Sequence, residues 1–73
     1  MAIDWHDRIT RDPKVRGGQL TVRRMRVTVK DVLEFLASGM TTEEILHDFP
    51  YLEEADIRAV LAFAADQLQD ATA

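Results

Sequence analysis

The run Leu20-Thr21-Val22-Arg23-Arg24-Met25-Arg26-Val27-Thr28-Val29 decides the fold of this 73-residue chain. Apolar and polar residues alternate along it, the period of a strand with one buried face. The phase breaks part-way. Leu20 and Val22 fall on even numbers, Met25, Val27 and Val29 on odd ones. Successive strand side chains point to opposite faces, so an unbroken strand cannot change phase. The break falls at Arg23-Arg24. The reading is therefore two short strands joined there by a tight turn, a β-hairpin over residues 19–28. Upstream, Asp12-Pro13 and Gly17-Gly18 are turn signals. Ile9 is a candidate for a further short extended segment.

After Val29 the period lengthens to that of a helix. Val29, Val32, Leu33 and Leu36 lie at i, i+3, i+4 and i+7. Thr28 with Asp31 forms a capping-box pair at the start, and Gly39 stops the helix. Thr41 with Glu44 opens a second, short helix whose Ile45 and Leu46 face inward, and Phe49-Pro50 ends it. The third helix carries Ile57, Val60, Leu61, Ala64 and Leu68 on one stripe. Its first turn holds Glu53, Glu54 and Asp56, which suit the positive end of the helix dipole. Phe63 falls off that stripe, which implies either a second buried contact, such as a dimer partner, or partial exposure. The predicted helices span 29–38, 42–48 and 53–69, and the tail 70–73 is expected to fray. The fold class is α+β, mostly α, in a single domain over residues 1–73.

A chain this short buries only about 60% of its unfolded surface, so its core is marginal without help. With no cysteine, disulfides, thiolate catalysis and Cys-based zinc sites are excluded. Oligomerisation is the remaining stabiliser, and a homodimer is expected. Trp5, Met25 and Phe63 are the candidates for partner packing. No apolar run approaches a membrane span, and the N-terminus lacks a secretory apolar segment. The expected address is the cytoplasm, with no membrane partner.

The charge is divided along the chain. Residues 1–30 hold eight Arg and Lys against three Asp, giving +5. Residues 31–73 hold one Arg against ten acids, giving −9, and the halves together give the net −4. Such asymmetry points to a polyanion or acidic partner for the first part, or to pairing between the two parts. Catalytic residues, a metal and a cofactor are not expected. His6 and His47 lack ligand spacing. Glu43-Glu44 and Glu53-Glu54 are adjacent pairs that diverge by about 100° on a helix and cannot share a site. Gly17-Gly18 lacks a phosphate-loop pattern.

Helix, Gly-containing turn and short helix over residues 29–48 form a candidate helix-turn-helix. Its second helix would meet phosphates with Glu43, Glu44 and Asp48, which repel them. The better candidate for double-stranded DNA is the basic hairpin, Arg23, Arg24 and Arg26, with Arg11, Lys14 and Arg16 nearby. A solvated or partner-pairing face is the alternative for these same residues.

The order Arg8-Ile9-Thr10, Asp12-Pro13-Lys14-Val15, Gly17-Gly18, Val22-Arg23, Arg26-Val27, Val32-Leu33, Leu36-Ala37-Ser38-Gly39-Met40, Glu43-Glu44-Ile45-Leu46, Phe49-Pro50 and Asp56-Ile57-Arg58-Ala59 resembles the DUF433 family over residues 6–66. That family is similar to prokaryotic antitoxins of type II toxin–antitoxin pairs. The resemblance implies a homeodomain-like, three-helix helix-turn-helix bundle preceded by a small β-hairpin. It also implies a PIN-like ribonuclease toxin as partner. The chain departs from the family pattern at Leu20, where Pro is usual, and at Arg24, where Gly is usual. The third helix opens near Glu53 where the family has Thr. On this reading the arginines enter the acidic active site of a toxin, or bind operator DNA. A stand-alone DNA-binding regulator and a self-associating interaction module are the alternatives.

Overall fold

In the computed structural model, which describes residues 4–68, a two-stranded antiparallel sheet precedes three helices. Strand β1 (Ile9–Arg11) pairs with β2 (Leu20–Val22) in the register Ile9↔Val22, Thr10↔Thr21, Arg11↔Leu20. Helices α1 (Val29–Ala37), α2 (Thr42–Asp48) and α3 (Glu54–Leu68) follow. The α+β class and the three helices agree with the sequence reading. The expected end of the third helix at residue 69 and the tail 70–73 lie outside the described residues.

The hairpin differs from expectation. The segment after Arg23-Arg24 is not a strand, and the partner of β2 is the Ile9 segment. The tight turn itself is present. Arg23 and Arg24 both have positive φ, 46° and 59°, and the Met25 amide donates to the Val22 carbonyl at 2.8 Å. Beyond the turn, extended pairing is reduced to one bridge, Thr21↔Thr28, and a bond from the Val22 amide to the Val27 carbonyl at 3.0 Å. The reason is the capping box. Thr28 already receives the Asp31 amide on its Oγ1 while the Asp31 carboxylate accepts from the Thr28 amide. Val29 is thereby committed to helix, and too little chain is left for a strand.

Alternation still decided burial. Val22, Val27 and Val29 join Ile9, Val32, Ile45, Leu52, Ile57, Ala59 and Val60 in the core. The second capping box, Thr41 with Glu44, forms as expected, and Gly39 has φ +101° after the end of α1. The stripe on α3 is rotated from the expected one. Asp56, Ile57, Ala59 and Val60 are buried, whereas Leu61 is 47% and Leu68 64% exposed. The N-terminal segment causes the rotation, because Trp5 and Arg8 pack on the side of α3 that carries Asp56 and Phe63.

A non-glycine residue at positive φ carries roughly 1–2 kcal/mol of strain, and a β-branched one more. Arg24→Val is therefore expected to melt about 4–8 °C below Arg24→Gly, the shift of roughly 1 kcal/mol in a domain of this size. Equal melting temperatures in a thermal scan would show that the turn is not left-handed at Arg24.

Candidate functional site

The six basic residues singled out in the sequence divide into two groups. Arg23 is not a free arm. Its Nε and Nη2 reach the two oxygens of Asp56 at 3.0 and 2.7 Å, and Nη2 also donates to the Tyr51 carbonyl at 2.9 Å. Arg8 joins from the other side, with Nη1 2.8 Å from Asp56 and 2.7 Å from Glu53. The Glu53 amide donates to Asp56 Oδ2 at 2.8 Å, which caps α3. Asp56 is 0% exposed. An ionised carboxylate offers about four lone-pair sites, and here four bonds fill them.

Arg16 is likewise engaged. Its Nη1 donates to the Arg26 carbonyl at 2.7 Å and to Asp31 Oδ2 at 3.0 Å. The second group is unpaired: among the described residues, the side chains of Arg11, Lys14, Arg24 and Arg26 have no ion pair, and all four residues are exposed. Arg24 is anchored through its backbone, its amide donating to Thr10 Oγ1 at 2.8 Å, so its side chain projects from a fixed point.

Trp5 and Phe63 find their contact within the chain. Their rings meet edge to face at 4.8 Å, and the Trp5 Nε1 donates to Asp66 at 2.6 Å. The off-stripe position of Phe63 is thus explained by the N-terminal segment. Met25, half-buried in the turn, packs on the core.

Asp56 was legible in the sequence only as a helix-start acid. Its signal is periodicity: it shares a face with Ala59, Val60 and Phe63, and a carboxylate on a buried face requires cations. Burial pushes the Asp56 carboxyl up, but hydrogen bonds from Arg23, Arg8 and the Glu53 amide outweigh it and hold the pKa below the ordinary value. Burial likewise raises Asp31, and bonds from Thr28 and Arg16 hold it low.

Depressed native pKa values mean that the unfolded chain binds more protons once the pH falls below the ordinary carboxylate value of about 3.9. The stabilisation is complete above that value and is lost as the pH falls through the native pKa. Removing one partner of a buried ion pair costs about 3–5 kcal/mol, against a total of about 4–11 kcal/mol for a chain this size. Asp56→Asn is therefore expected to lose most of its cooperative melt at pH 7, while exposed Glu53→Gln changes stability by less than about 1 kcal/mol. Wild-type thermal melts should fall steeply below about pH 4. Near-equal melts of Asp56→Asn and wild type would refute the anchoring role.

Comparisons with curated proteins and with solved structures returned no match. A family model described as "Protein of unknown function (DUF433)" matches residues 9–64. That span runs from β1, through the turn, to the part of α3 that holds Asp56 and Phe63. It takes in both halves of the ion-pair network except Arg8, and the chain belongs to the DUF433 family.

Proposed function

We propose that this chain is a binding subunit without catalytic activity, the antitoxin-like member of a prokaryotic type II toxin–antitoxin pair. It neutralises a PIN-like ribonuclease in the cytoplasm and works as a homodimer. The observation that carries the reading is the division of the basic residues. Arg23, Arg8 and Arg16 are consumed by Asp56, Glu53 and Asp31, which makes a rigid frame. Arg11, Lys14, Arg24 and Arg26 are left exposed on that frame without acidic partners. Preorganised cations on a fixed backbone suit the carboxylates of a ribonuclease active site, because little side-chain and loop entropy is lost on docking.

A second reading, operator DNA bound by the same exposed cations, is favoured by Arg24 at the tip of the turn. The second helix of the candidate helix-turn-helix does not support it, since Glu43, Glu44 and Asp48 on α2 are all exposed. On that reading double-stranded DNA meets these exposed cations, and a stand-alone regulator would use them in the same way.

Co-expression with the neighbouring reading frame tests the main reading. The wild-type chain is expected to restore growth against a toxic neighbour. Arg24→Glu with Arg26→Glu is expected to abolish protection while its melting curve stays within a few degrees of wild type. A harmless neighbour, or full protection by the double variant, would refute it.

DNA binding has its own measurement. Affinity for a duplex from the upstream region should fall linearly on a log–log plot against salt, and the slope should drop by about one for each phosphate-contacting cation removed. Absence of binding at low salt would leave only the protein partner.

A further inference from the structure

Open grooves lined by described residues include two of opposite character. One lies between α2 and α3, floored by Leu46, Ile57 and Leu61. Its rim carries both signs, Glu43 and Glu54 against Arg58, and Arg58 is already paired with Glu54. Charge there does not specify an occupant. The other, of about 470 Å³, lies between the sheet and the first turn of α1. Leu20, Val29 and Leu33 form its apolar floor, Arg11 and Lys30 its charged rim, and among the described residues no carboxylate lines it.

We infer that this second groove docks an acidic peptide segment of a protein partner, anchored by an apolar side chain on Leu20 and Leu33. The inference deepens the binding-subunit reading, and rests on it only for which protein carries the segment. Strand register creates the site. Arg11 and Leu20 are cross-strand partners, so their side chains leave the same face of the sheet, the face that also carries Ile9 and Val22 into the core. Arg11 is thereby brought beside the start of α1 and Lys30. Arg11 has no ion pair among the described residues. Lys30 has only the exposed Glu34, at 3.3 Å one helical turn away, and such pairs exchange readily.

The amides at the start of α1 are not the main attraction, since the capping box already engages those of Thr28 and Asp31. The two side-chain cations are. Charge alone would also suit a nucleic acid backbone, but a phosphate backbone leaves the apolar floor unfilled. A segment that places carboxylates on Arg11 and Lys30 and a leucine-like side chain between them satisfies both parts of the groove. Such an occupant matches the two cations by charge and removes half-buried Leu20 and Leu33 from water.

The test uses the isotopically labelled full chain and no toxin. It is titrated with a short capped peptide bearing two central leucines flanked by glutamates, and separately with an all-glutamate peptide. The leucine peptide is expected to saturate, with amide shifts concentrated at Gln19, Leu20 and residues 28–33. Arg11→Glu with Lys30→Glu is expected to weaken it roughly tenfold or more while retaining the wild-type melt. Equal response to the all-glutamate peptide, shifts centred elsewhere, or no loss in the double variant would overturn the proposal. The outcomes separate from those of the toxin reading. A groove that binds the peptide stands even if the neighbouring frame is harmless. Protection by wild type that also survives Arg11→Glu with Lys30→Glu removes the toxin as carrier of the segment while leaving the antitoxin reading in place.

Discussion

The Asp56 carboxylate is the point where separate parts of this small chain are held together. Arg8 comes from 48 residues upstream and Arg23 from 33, and the Glu53 amide opens the helix on which Asp56 sits. A two-stranded sheet of three-residue strands is not stable alone in water. Here it is held to α3 by core packing on one side and by a bidentate arginine on the other. The net gain from the buried charge is smaller than its contacts suggest, because desolvation offsets much of the attraction. What it supplies is geometry: one orientation satisfies all four bonds, and slipping the sheet would strand a charge without partners.

That constraint extends to the turn. Arg23 holds a left-handed backbone where a side chain is strained, and its guanidinium is gripped by Asp56 and the Tyr51 carbonyl. The neighbouring Arg24 amide is bound by Thr10. A tight turn thus forms at a pair of arginines, with no glycine in it. Arg24 sets a charge at the tip of a turn that hydrogen bonds hold at both arginines. The bipolar charge of the sequence is resolved the same way. Arg8, Arg16 and Arg23 of the basic half pair with Asp31, Glu53 and Asp56 of the acidic half within one chain, while Arg11, Lys14, Arg24 and Arg26 face outward without such partners among the described residues.

Much of the architecture was legible before any coordinates. The helix starts at Thr28 and Thr41, the stop at Gly39 and the buried valines of the 20–29 run follow from local rules, and the structure agrees with each. These features depend on residues within four positions of one another. The features that local rules miss share the opposite property. The partner of β2 proved to be Ile9–Arg11 rather than residues 25–29, because a capping box competed for the same backbone. The buried side of α3 was displaced from Leu61 toward Phe63, because the residue that covers it, Trp5, lies at the other end of the chain.

By itself, then, the sequence determined the α+β class, the three helices, the position of the turn and a basic set of residues. Periodicity, capping and glycine placement are written in short windows. Only the tertiary structure decided which arginines are structural and which are available. Arg23 and Arg24 are neighbours of the same type, indistinguishable by composition or spacing. One points at a buried carboxylate and the other at solvent, because a left-handed turn sends consecutive side chains in different directions. The groove between Arg11 and Lys30 is likewise a product of strand register, which no single segment encodes.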